Sequence, residues 1–204
     1  IAGLPLRAKA APSRGGHLRA AIGHGQTTDV LDPGTYSNSF TTSLAFAIHG
    51  RLTEVAADGS LIPEVAESWE ASADASVWRF KLRSGVTFHS GKAVTAADVV
   101  SSINFHRGEN STSAAGPLVA NVTDITTEGD DGGNADFPFF LSDYHLVICK
   151  AEGDSIDWKS GDGCGSYVLK DFKPGVSFAV ERNPNHWRSD VAWFDSAEIL
   201  AIVD

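Results

Sequence analysis

The chain has 204 residues, 42% hydrophobic and 21% charged, enough for one large domain or two small interleaved ones and typical of an ordinary globular chain. No apolar run reaches the roughly 18 residues that a membrane-spanning helix needs. Sixteen Lys and Arg against 26 Asp and Glu give a net charge of −10, a field that repels phosphate backbones and excludes nucleic acid as an expected partner.

The chain contains no methionine, which predicts that the start of the translation product has been removed. Residues Ile1–Ala10 (IAGLPLRAKA) are read as a signal-peptide remnant, with Ala8-Lys9-Ala10 as an A-x-A cleavage site and the mature chain beginning near Ala11. Export would permit a disulfide. The spacing of Cys149 and Cys164 leaves open one bridge, two buried thiols or a chance pair.

In chain order, His17–Ile22 is predicted as a first strand, and Gly23–Pro33 as a polar loop of turn formers. Ser37, Asn38 and Ser39 then offer N-caps for a helix with apolar positions Phe40, Leu44, Phe46 and Ala47, which Gly50 ends in a left-handed conformation. Asp58-Gly59 marks a hairpin between Leu52–Val55 and Leu61-Ile62. Val77–Leu82 alternates charged and apolar residues and is predicted as a half-buried strand. Thr95 opens a capping box with Asp98, and Ala96, Val99, Val100 and Ile103 form the apolar stripe of a helix that stops at Gly108 and packs on that strand. Asn121–Thr127 is expected as a strand, Glu128–Asn134 as an acidic turn and Asp136–Leu141 as a short helix. Two hairpin strands, Ser166–Phe172 and Val176–Glu181, flank Lys173-Pro174-Gly175, and Ala197–Val203 is expected as a last strand.

The segments LIPEVAESWE from Leu61 and WRFKLRSGVTFHSGKAVTAADVVSSIN from Trp78 strongly resemble the extracytoplasmic solute-binding proteins that serve peptide, oligopeptide and nickel ABC importers (family 5). Leu31-Asp32-Pro33, Gly163–Leu169 (GCGSYVL) and Arg182–Trp187 (RNPNHW) agree with that family. The resemblance runs from about His17 to the end. It implies an α/β fold, one lobe of a type II or Venus-flytrap periplasmic binding protein, with a mixed sheet and an inserted smaller α/β subdomain. The expected division is residues 11–50 and 135–204 for the lobe core and 51–134 for the insertion. A second lobe would follow, and a few more residues are expected between Asp131 and Gly132 to form a strand beside Val122–Thr127.

Chemistry beyond binding finds little support in the residues. No two of the seven His stand at i, i+4, and no HExxH or CxxC spacing occurs, so no metal is expected. No nucleophile elbow, P-loop or dinucleotide fingerprint is present, so neither cofactor nor catalysis is expected. Cys164 is read as inert, His89 as a surface or turn residue, and Trp69, Trp78 and Trp187 as core.

Loops on a rigid scaffold are where ligand contacts concentrate, and the resemblance places three at a cleft: Tyr36-Ser37-Asn38-Ser39, Asp143-Tyr144-His145, and Gly163-Cys164-Gly165 leading into Ser166. Tyr36, Tyr144 and His145 pair apolar rings with hydrogen-bonding tips, and Gly163 and Gly165 would let a peptide backbone come close. The expectation is a monomeric periplasmic binding component that captures a small peptide for a membrane permease. Alternatives are an exported enzyme or sensor on the same lobe, or a binder of a nickel chelate.

Overall fold

The computed structural model describes residues 13–109, 111–127, 132–134 and 138–202; the expected cleavage site lies outside them. A four-stranded sheet carries the fold. Its first strand β1 (His17–Gly23) runs parallel to the last strand of the chain, and two antiparallel strands complete the order. The sheet is therefore mixed, and it joins the two ends of the described chain.

Helix α1 (Ser39–Ile48) covers this sheet with Phe40, Leu44 and Ile48, which are fully buried. Phe46, expected on the same face, points outward with 48% of its surface exposed and lies under the Arg51 guanidinium. Its offset from Phe40 and Leu44 does not match the 3.6-residue period, and Ala45 and Ile48 occupy the inward positions instead. The helix ends on His49 in an extended conformation. Gly50 is thus not a left-handed cap. A side chain there would meet Val65 Cγ2 at 2.8 Å and Cys164 Sγ at 2.9 Å, so close packing selects the glycine.

Next come the hairpin of β2 (Thr53–Val55) and β3 (Leu61–Pro63), then β4 (Ala66–Ala71) and β5 (Trp78–Leu82). Helix α2 (Ala96–Phe105) starts with the expected capping box between Thr95 and Asp98. Ala96, Val99 and Ile103 are buried in one core with Phe80 and Leu82. Val100 is only half-buried, and the positions it was expected to share go to Asp98 and Ser102. Both are polar anchors: Asp98 Oδ1 accepts from Lys92 Nζ and from the Ala151 N–H, and Ser102 Oγ accepts from the Cys149 N–H.

A short helix α3 (Gly116–Val119) precedes a segment that is not the expected strand. The Arg107 guanidinium takes the carbonyls of Val122 and Thr123, groups that a strand ladder would have used. The edge of β5 is filled instead by β6 (Gly132–Asn134), within the span expected as a turn. The expected Phe-rich helix is a 3-10 turn at Phe140–Ser142, with residues 136 and 137 outside the described set. The hairpin of β7 (Lys150–Glu152) and β8 (Ser155–Asp157) is followed by β9 (Tyr167–Lys173), β10 (Ser177–Arg182) and β11 (Ser196–Ile202), the last three as expected within a residue or two. No helix among the described residues is long and apolar enough to cross a membrane.

Candidate functional site

The loop after β1 is folded onto the amino end of α1 by one carboxylate. Asp29 Oδ2 accepts from the Gln26 N–H at 2.7 Å, and Oδ1 accepts from Asn38 Nδ2 at 2.8 Å. Asn38 Oδ1 in turn accepts from the Thr41 N–H at 3.0 Å as the N-cap. Asp32 accepts from the Gly34 N–H and sets the 3-10 turn Pro33–Thr35, which directs Tyr36 inward. Tyr36 is buried, and its hydroxyl donates to the Leu31 carbonyl at 2.9 Å.

A second loop meets the first there. His145 Nε2 donates to the Tyr36 carbonyl at 2.7 Å, while Nδ1 lies 2.7 Å from Asp143 Oδ1. Burial would raise the Asp143 carboxyl, but hydrogen bonds from the His145 ring and backbone N–H outweigh it and hold the group below the usual carboxylate range. Tyr144 lies over the His145 ring with centroids 4.1 Å apart. Burial and the Asp143 charge raise its phenol, which keeps the hydroxyl a donor.

On this base opens a concavity of about 470 Å³ lined by His24, Gln26, Ser37, Asn38, Ser39, Thr42 and Tyr144. Ser37, Asn38, Ser39 and Tyr144 are thus brought together from two of the three expected loops. Tyr36, Asp143 and His145 stand behind them as support. Sequence reasoning missed His24, Gln26 and Thr42. The available signal was the polar loop leaving the carboxyl end of β1, since open α/β sheets bind ligands beyond the carboxyl ends of their strands.

The third loop sits at the other end of α1, about 15 Å along the helix axis. A Cβ on Gly163 would stand 1.9 Å from the Ile48 carbonyl oxygen, and one on Gly165 would stand 2.5 Å from the Ile48 carbonyl carbon. The Gly165 N–H donates to the Ile48 carbonyl at 2.9 Å, and the His89 N–H donates to the Gly163 carbonyl at 2.8 Å. The close approach expected for a ligand backbone is taken on this side by α1 itself. His89 is a turn residue, as expected, but a half-buried one that braces this loop.

Both cysteines are buried free thiols. Burial pushes Cys164 up to about 12 and raises Cys149 strongly, while it lowers His49, whose Nδ1 lies 4.0 Å from Cys149 Sγ, to about 3. Neutral thiols beside a neutral imidazole make no thiolate–imidazolium pair. Among the described residues no group of three His, Cys, Asp or Glu is placed to hold a metal ion.

The model of the family described as Bacterial extracellular solute-binding proteins, family 5 Middle, matches residues 60–204, more than half of the chain. The chain belongs to this family. It is 30% identical over 196 residues to a probable peptide ABC transporter periplasmic-binding protein of Sinorhizobium fredii, and the match covers 89% of this chain and 36% of that protein. The chain therefore spans little more than a third of that relative. Among solved structures, it superposes on AgaA of A. tumefaciens R10, in complex with agropinic acid, with a TM-score of 0.80 at 21% identity, over 92% of this chain and 40% of the other. The oligopeptide-binding protein AppA of Bacillus subtilis, in complex with a nonapeptide, gives 0.78 at 17% identity, over 94% and 41%. The chain thus has the type II periplasmic-binding fold, with the mixed sheet that the resemblance implied.

Proposed function

We propose that this chain is the first lobe of an exported solute-binding protein, which captures a short peptide between two lobes and delivers it to the permease of an ABC importer. The observation that carries the reading is the concavity at the amino end of α1, in a member of family 5. Its walls are hydroxyls, amides and rings with no Lys, Arg, Asp or Glu among them. Such walls suit a peptide main chain, which offers amide donors and acceptors whatever its side chains are. The name of the Sinorhizobium fredii relative supports a peptide. AgaA, which shares the fold, is in complex with agropinic acid, so the experiment distinguishes a peptide from another small solute.

Capture would shift an open–closed equilibrium between the lobes, and the closed form would dock on the permease as a monomer in the periplasm. The lobe core would comprise residues 11–50 and 135–204, with 51–134 as its insertion. The raised thiols of Cys149 and Cys164 support a reading without catalysis.

The test is to purify the whole protein under native conditions, denature it, and analyse the released small molecules by mass spectrometry. Peptides of two to five residues are expected. A sugar acid or a metal chelate in their place would overturn the peptide assignment, and turnover of an added peptide would revive an exported enzyme.

A further inference from the structure

A second cavity of about 260 Å³ is lined by Asp32, Gly34, Thr35, Phe105, Ser111, Thr112 and Ser113. It shares no residue with the concavity at the amino end of α1. Every polar side chain on its wall carries an acceptor oxygen, and none is a cation. Asp32 supplies a half-buried carboxylate whose Oδ1 accepts from the Gly34 N–H at 2.8 Å. Among the described residues it has no ion pair, and burial raises its carboxyl despite that hydrogen bond. A carboxylate left without a counter-charge in a pocket favours a cation arriving from solution.

The surrounding groups agree in sign. The Thr35 hydroxyl spends its proton on the Asp32 carbonyl at 2.8 Å, and the Ser111 hydroxyl spends its own on the Phe105 carbonyl at 3.3 Å and accepts from the Ser113 N–H at 3.3 Å, so both keep lone-pair capacity to accept, Ser111 one lone pair of its two. Behind Ser113, 2.6 Å from its Oγ, the His106 ring is lowered to about 4 by burial and by His145, and so brings no competing charge at neutral pH. Phe105 adds an aromatic wall, which attracts organic cations. A bare divalent cation fits poorly, since hard cations take six or more oxygens and usually several carboxylates, and here one carboxylate stands in a space far larger than an ion.

We propose that the Asp32–Phe105 cavity is a binding site for a primary ammonium group, held by the Asp32 carboxylate, the Thr35 and Ser111 hydroxyls and the Phe105 ring. It is independent of the peptide reading of the other concavity and would stand if that reading failed.

The test is an NMR titration of the isotope-labelled 204-residue chain with ethylammonium chloride, with ethanol and magnesium chloride as controls at equal concentration and constant ionic strength. Ethylammonium is expected to shift the amide signals of Gly34, Thr35, Ser111 and Ser113 saturably, with ethanol and magnesium giving no saturable shift there. Asp32→Asn keeps an oxygen for the Gly34 N–H and is expected to weaken the site about tenfold or more, the loss of a charge-assisted hydrogen bond. Phe105→Leu, which leaves Asp32 untouched, is expected to weaken it about threefold, as the loss of one cation–π contact. Equal shifts with ethanol, preferential binding of magnesium, or undiminished binding in a folded Asp32→Asn or Phe105→Leu chain would each overturn the proposal.

Discussion

His145 Nε2 donates to the Tyr36 carbonyl at 2.7 Å across 109 residues of sequence, and this bond fastens together the two loops that line the concavity at the amino end of α1. Neither residue faces the open space. They hold Ser37 and Tyr144 in register, as a positioning layer behind a binding surface does. Replacing His145 with Ala leaves the Tyr36 carbonyl unpaired in a buried site and is expected to cost about 1–3 kcal/mol in urea denaturation. An unchanged midpoint would mean that the loops are held by other contacts.

The glycines of the third loop give a contrast that packing alone predicts. Gly163→Ala would drive a methyl into the backbone carbonyl oxygen of Ile48 at 1.9 Å, an atom that cannot swing aside, and should destabilise by about 3 kcal/mol or more. Gly59→Ala has open space and only a positive φ of 84° to tolerate, so about 1–2 kcal/mol is expected. Thermal denaturation of the two variants side by side checks the order. Equal losses would refute the close-packing account of Gly163.

Ile103 is buried in the core shared by α2 and β5 and does not line the concavity at the amino end of α1. Ile103→Ala should cost about 2–5 kcal/mol, and Thr95→Ala, which removes the cap of α2, about 1 kcal/mol. Neither should alter the solute affinity of the fraction that remains folded. Calorimetry on the folded variants would expose a direct role if affinity fell while stability held.

Glu64 supplies a pH signature. Burial raises its carboxyl to about 7, against the partial opposition of Arg51, whose Nη2 lies 3.0 Å away. The folded state therefore holds a proton that the unfolded chain, titrating near 4.5, has already released. Stability from this group is full at low pH and declines as pH rises from about 4.5 to about 7. Glu64→Gln should flatten that decline, which is expected to be roughly 1–3 kcal/mol. An equally steep decline in the variant would assign it to other groups.

Much of this was legible in residue order because local signals and tertiary demands coincide. The Thr95–Asp98 capping box, the Asp58-Gly59 turn and the alternation of Trp78–Leu82 each carry their structure within a few residues. Where they diverge, the sequence misleads. Phe46 is apolar yet sits off the helical stripe over Arg51, and Val122–Thr127 has strand composition but gives the Val122 and Thr123 carbonyls to Arg107. The site was half legible for the same reason. Ser37–Ser39 and Tyr144, which the resemblance placed at a cleft, line the concavity, whereas His24, Gln26 and Thr42 join them only through the fold around Asp29. The Gly163–Gly165 loop was read as space for a ligand because a glycine's missing side chain does not say which neighbour fills the gap.

On the proposed function, solute is held in the concavity at the amino end of α1. Native mass spectrometry of the whole protein as purified, beside its Ser39→Trp and Tyr144→Ala variants, tests it most directly. Ser39 and Tyr144 both line the space without being fully buried, so both variants should fold, Ser39→Trp with a melting temperature close to the parent and Tyr144→Ala, which loses its contact with the His145 ring, with a lower one. Expected are a bound small molecule on the parent protein, its loss when the Ser39→Trp indole fills the space, and at least tenfold weaker retention in Tyr144→Ala, roughly 1.4 kcal/mol. Folded variants that both retain the same molecule as tightly as the parent would contradict it.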